Sequence, residues 1–77
     1  MAQQLRQARD EVEQLKAALL SRQMIGVAQG MLMLRYGLSL DRTFEYLSRR
    51  SQDENVKLRV VAESVIDDLT ADGWPER

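Results

Sequence analysis

The chain has no histidine and no cysteine. That removes the side chains that most often serve as general bases, nucleophiles and zinc ligands. No glycine-rich loop is spaced to cradle a phosphate. Asp67 and Asp68 are neighbours, so on a helix their carboxylates diverge by about 100° instead of converging on one substrate or ion. They read as a solvated face. These residues predict no catalysis, no metal site and no cofactor. What remains is a set of cations with polar neighbours. Arg49 and Arg50 follow Leu47, Arg35 and Tyr36 close an apolar run, and Lys57 precedes another. Ser48, Ser51, Gln52 and Asn55 stand among them. Guanidinium and ammonium groups bind phosphate, while hydroxyls and amides reach base edges, so the set has the chemistry of nucleic-acid contact. Composition taken alone favours a solvated charged surface, at about three to one.

Charge is unevenly distributed. The formal net charge is -1. Residues 1–52 carry eight Lys/Arg against five acids, net +3, and residues 53–77 carry three against seven, net -4. A pI of about 5.3 argues against a non-specific polyanion binder but leaves room for a local basic face. Seventy-seven residues allow one domain. A core of that size yields only about 3–5 kcal/mol without further support. With neither disulfide nor zinc ligands present, oligomerisation is the support the composition leaves open. The absence of cysteine agrees with a reducing compartment, and the reading is cytoplasmic.

The element that must position these side chains is the run from Arg22 to Tyr36. Between Met24 and Leu34 the one polar side chain is Gln29. At helical spacing the run shows two apolar stripes, Ile25-Ala28-Leu32 and Met24-Val27-Met31-Leu34, with Met33 outside both. A helix apolar on so much of its circumference needs partners on several sides. Gly26 and Gly30 share a face four residues apart, and each costs about 1 kcal/mol of helix propensity relative to Ala. The reading is close packing of helices inside a bundle. As a helix the Met24–Leu34 run spans roughly 16 Å, about half a bilayer core, and it predicts neither a transmembrane segment nor a signal peptide.

Ahead of it, Leu5, Ala8, Val12, Leu15 and Leu19 recur three and four apart among Gln, Arg, Asp, Glu and Lys, as in a two-stranded coiled coil. Residues 1–21 are therefore expected to dimerise through Leu5, Val12, Leu15 and Leu19. No Pro or Gly interrupts residues 1–25, so coil and strut form one rod. The seam then slips: position 22 is Arg, and the apolar set resumes one residue out of phase at 25-28-32. There the dimer seam hands over to a local bundle.

Gly37 ends the first helix, Ser39 caps the second, and Asp41 lies in its positive first turn. Leu40, Phe44, Leu47 and Ser51 make the stripe of a second helix over residues 39–54. Asn55 breaks the chain, and Leu58, Val61, Ala62, Val65 and Leu69 make the stripe of a third. Gly73 and Pro75 lie in a short tail, residues 73–77. No segment alternates like a strand. The fold class is all-α, an N-terminal coiled-coil helix continuing into a three-helix bundle over residues 22–72. The expected core is Ile25, Ala28, Leu32, Phe44, Leu47, Leu58, Val61, Ala62 and Val65. A helix-turn-helix reader of DNA is disfavoured, because the third helix carries Glu63, Asp67 and Asp68, which repel phosphate.

One stretch is similar to a known family. Ser21-Arg22-x-Met24-Ile25-Gly26-x-Ala28-x-Gly30-Met31-Leu32-Met33 resembles the opening of the ANTAR domain, the RNA-binding module of bacterial transcription antitermination regulators. The likeness continues through Tyr36-Gly37-Leu38-Ser39, Phe44, Leu47, Arg49, Ser51-Gln52-Asp53, Asn55, Lys57-Leu58 and Val61-Ala62. It covers about residues 17–67, in order and nearly without gaps. The resemblance implies a three-helix domain at the end of a coiled coil, acting as a homodimer on nascent RNA with two tandem short-loop hairpins. Holding that antiterminator form prevents the competing terminator hairpin. With that target, Arg22, Arg35, Arg49 and Lys57 are expected to contact the RNA, with polar help from Gln29 and Ser48.

The chain departs from the family pattern at three positions. Gln29 stands where Lys is usual, Ser48 where Arg is frequent, and Thr43 where Ala is favoured. Two cationic contacts are thereby replaced by neutral hydrogen-bonding groups, which flattens the salt dependence of binding. The family generally carries a sensory domain ahead of the coil, which leaves three expectations open: a fragment of a sensor-linked regulator, a stand-alone regulator, or a regulator that relies on a separate sensor chain as partner. A competing reading is a helical homodimeric module that couples a sensor to its output and binds no nucleic acid.

Overall fold

The computed structural model describes the backbone over residues 2–71 and the side chains over residues 7–71. Three α-helices follow one another: α1 (Ala2–Tyr36), α2 (Leu40–Glu54) and α3 (Leu58–Ala71). Coil and strut are indeed one helix. Its 35 residues span about 52 Å at 1.5 Å per residue, close to the longest dimension of the molecule, 53 Å. Leu5 of the expected seam lies outside the described side chains, and Gly73 and Pro75 lie outside the described residues.

The helix ends form as their residue types require. Gly37 adopts a left-handed conformation (φ 67°), and its N–H closes back on the Met33 carbonyl at 2.9 Å. Ser39 Oγ accepts from the Arg42 N–H at 3.2 Å, satisfying one orphan donor of α2, with Asp41 in the first turn. Asn55 is the one non-glycine residue at positive φ among the described residues (54°) and ends α2. Its N–H bonds the Gln52 carbonyl while the Val56 N–H bonds that of Ser51, a Schellman arrangement. Ser51 Oγ donates to the Val56 carbonyl at 2.6 Å, locking the same corner. Lys57 lies just before α3, and its carbonyl accepts from the Val60 and Val61 N–H groups. Ser39→Ala is expected to lower stability by about 1 kcal/mol. That corresponds to a fall in Tm of about 4–8 °C for a domain of this size. Thermal unfolding followed by circular dichroism checks it, and an unchanged Tm removes the cap from the stability of α2.

The core is built where the three helices meet. Ala28, Met31 and Leu32 of α1 are buried against Leu47 of α2 and Val61, Ala62, Val65 and Leu69 of α3. Met24, Ile25, Leu38, Leu58 and Ile66 pack around them half-buried. The expected core is corrected at one position: Phe44 is 48% exposed, and Thr43 is fully buried in its place. The physical reason is a satisfied hydroxyl. Thr43 Oγ1 donates to the Leu40 carbonyl at 2.6 Å and accepts from Gln29 Nε2 at 3.2 Å. The polar atom is therefore buried without losing its bonds.

The glycine reading is corrected too. A Cβ built on Gly26 or Gly30 meets nothing within 4 Å, so neither glycine admits a close neighbour inside the bundle. The stripe opposite the core is apolar as well: Val12, Leu15, Leu19, Val27 and Leu34 are all exposed, Leu34 by 78%. Gln7–Tyr36 is long and apolar enough to cross a membrane by length and composition, with mean hydropathy 1.2 in its most apolar window. Packing supplies another cause for that apolarity. One face of α1 forms the core with α2 and α3, and the stretch also carries Arg9, Asp10, Glu11, Glu13, Lys16, Arg22 and Arg35.

Candidate nucleic-acid interface

Arg22 and Arg35 project from α1, Arg49 from the side of α2 away from Leu47, and Lys57 from the link into α3. All four are exposed. The set is spread over two helices and a link. The side chains of Arg22, Arg49 and Lys57 make no hydrogen bond or ion pair among the described residues, which leaves their charge available to an anion. Other cations are engaged. Arg42 lies 3.6 Å from Glu45 and Arg59 lies 3.7 Å from Glu63, each within one helix. Such exposed pairs contribute little stability, but they offset the positive field locally.

Arg50 differs from its neighbour Arg49 because the two leave the helix about 100° apart. Arg50 is half-buried. Its Nε donates to Glu54 at 2.9 Å and its Nη1 to the Tyr46 hydroxyl at 3.2 Å, with the guanidinium 5.8 Å from the Tyr46 ring centre. The Glu54 carboxylate first, then Tyr46, push its pKa up, so it is a fixed cation. The adjacent arginines thus divide into one tied to the fold and one facing solvent.

Gln29 and Ser48 hold more interior positions. Gln29 is half-buried, and its amide nitrogen bridges to the first turn of α2 through the Leu40 carbonyl (3.4 Å) and Thr43 Oγ1 (3.2 Å). Ser48 is half-buried on α2. Gln29 and Thr43 are two of the three departures from the family pattern, and they are hydrogen-bonded to each other. An amide at position 29 therefore has a structural partner that a hydroxyl at position 43 supplies.

A cleft lies where α1 ends against α2 and α3. Leu32, Val65 and Leu69 form an apolar floor, with Leu38, and Tyr36, Tyr46, Arg50 and Asp68 complete its walls in a volume of about 390 Å³. No sequence spacing announces it, because its residues come from three helices. The two tyrosines were its one visible signal. Among the described residues no group of three or more acidic side chains is placed to hold a metal ion.

Comparison with known proteins adds the decisive observation: a sequence model of the ANTAR domain matches residues 13–66, well over half of the chain. The chain belongs to the ANTAR domain family. No curated protein and no solved structure matches it. The ANTAR match begins in the first half of α1, takes in all of α2, and ends inside α3. It therefore contains every cation and amide of the candidate interface, from Arg22 to Lys57. The family is one of regulatory RNA-binding domains and not of enzymes.

Proposed function

We infer that this ANTAR protein is a cytoplasmic transcription antitermination regulator that stabilises a two-hairpin antiterminator in nascent mRNA, acting as a homodimer. The family match over residues 13–66 carries the reading. The exposed, unpaired Arg22, Arg49 and Lys57 support it, because an RNA backbone needs cations not already neutralised. Arg22, Arg35, Arg49 and Lys57 are assigned to the RNA, with polar contributions from Ser48 and the outer edge of Gln29. Dimerisation is assigned to Leu5, Val12, Leu15 and Leu19. The last three are exposed in the single chain, as a seam awaiting its partner would be.

The test is fluorescence anisotropy with a labelled RNA bearing two tandem short-loop hairpins, against a single hairpin and a loop-scrambled version, across a salt series. Tighter binding to the tandem RNA, lost on scrambling and weakened by salt, is expected. Equal weak binding to all three favours a protein-coupling module instead. Within this assay Arg49→Ala is expected to cost about 1–3 kcal/mol of specific binding. The Arg49 side chain is exposed and makes no hydrogen bond or ion pair among the described residues, so the loss should come without any change in Tm. Unchanged affinity removes Arg49 from the interface.

A further inference from the structure

The cleft at the meeting of α1, α2 and α3 plays no part in the phosphate contacts assigned above. Its volume of about 390 Å³ falls within the range of small-ligand sites, and its floor is apolar. Tyr36 and Tyr46 stand on its walls, 60% and 42% exposed, so their rings are open to a flat partner. Arg50 is held by Glu54 and Tyr46 and fixes the Tyr46 side of the slot. An apolar slot edged by aromatic rings and a guanidinium plane is a stacking site for a nucleobase splayed from its strand.

Asp68 decides which base. It is exposed on the wall of the cleft and makes no hydrogen bond or ion pair among the described residues. An ionised carboxylate accepts only, through two oxygens, and it repels phosphate. Its best partner offers two N–H donors side by side. Among the four RNA bases guanine alone does so on its Watson–Crick edge, through N1–H and the N2 amino group. We propose that this cleft binds a guanine base, stacked against the tyrosine wall with Asp68 accepting from N1–H and N2–H. This rests on the RNA-binding reading where the guanine belongs to a hairpin loop; a free guanine nucleotide presents the same chemistry.

Two arms test it on the full chain. In the first, guanosine, inosine and adenosine 5′-monophosphates are titrated while the methyl resonances of Leu32, Val65 and Leu69 are followed. Inosine lacks only the N2 amino group. Guanosine monophosphate is expected to shift these methyls, with the other two at least about ten-fold weaker, the loss that removing a hydrogen bond to a charged group brings. Asp68→Asn should erase that preference. Asp68 is exposed, so the variant should keep the wild-type circular dichroism spectrum. Equal response to all three nucleotides, or a preference that survives Asp68→Asn, overturns the proposal.

In the second arm, tandem hairpin RNAs carry guanine or inosine at each loop position in turn. A guanine preference of about ten-fold in the wild type and absent from Asp68→Asn places a loop base in the cleft. Nucleotide preference with no hairpin binding upholds the cleft for a free nucleotide and removes the RNA reading. Hairpin binding with no discrimination in either arm removes the cleft and leaves the RNA reading standing.

Discussion

Leu47→Ala is expected to leave most of the chain without its three-helix packing at room temperature. Leu47 is fully buried, with no surface exposed, and it is the one large apolar side chain of α2 in the core. Truncating such a leucine costs about 2–5 kcal/mol, the transfer term plus the cavity left behind. A domain this small holds only about 3–5 kcal/mol without outside support, so the two figures are of the same size. Loss of Leu47 also loosens α2, because its one other buried side chain is Thr43, whose bond from Gln29 depends on α2 lying against α1. Phe44→Ala is the contrasting experiment. Phe44 is nearly half exposed, and its removal should cost about 1 kcal/mol or less. Urea unfolding followed by far-ultraviolet circular dichroism separates them; equal losses for the two variants would mean that α2 is not anchored through Leu47.

That contrast shows what the sequence could tell and what it could not. Phe44 and Leu47 belong to one stripe, 40-44-47-51, and hydropathy ranks them as equals. Burial in the structure centres on 43 and 47 instead, so α2 is turned toward Thr43. Nothing local signals this, since a threonine enters a core only when acceptors and donors from elsewhere meet its hydroxyl. Here the donor is Gln29, 14 residues away. Leu69 was on the correct stripe, but the stripe Met24-Val27-Met31-Leu34 is split: Met31 is buried while Val27 and Leu34 are exposed, because only tertiary packing decides which positions of a stripe reach the centre. The caps are different. Gly37, Ser39, Asp41 and Asn55 act within their own turn, so residue type and position were enough to place them.

The candidate interface divides in the same way. Residue types disclosed the cations, and the family pattern placed them within residues 13–66. Which arginine is free was not legible. Arg49 and Arg50 are identical in type and adjacent, yet Arg50 is drawn to Glu54 and Tyr46 one helical turn to either side. The cleft was hidden because its walls are assembled across three helices. Gly26 and Gly30 misled for a related reason: their spacing suggests a close neighbour, and the bundle provides none within 4 Å. Their outward placement puts them on the side of α1 that also carries Val27 and Leu34.

The largest effect on RNA binding is expected from a residue far from any phosphate. Leu15→Glu should convert the proposed dimer to a monomer and remove the preference for tandem over single hairpins. Leu15 is 65% exposed in the single chain and shares its face with Val12 and Leu19. A carboxylate in a two-stranded seam must lose its hydration against an identical charge on the partner helix, which a short coil cannot offset. Once one hairpin is held, a linked second domain meets its own at a high effective concentration. Joining two sites raises avidity by about 10²–10⁴-fold, and that factor is what the variant should lose. Its affinity for a single hairpin should be unchanged, since Arg22, Arg49 and Lys57 are untouched. Light scattering gives the mass and anisotropy gives the tandem-to-single ratio. A Leu15→Glu chain that stays dimeric would remove the seam from Leu15 and shift it along α1 to Val27 and Leu34. A monomer that keeps the full tandem preference would mean that the two hairpins are bound without a dimer.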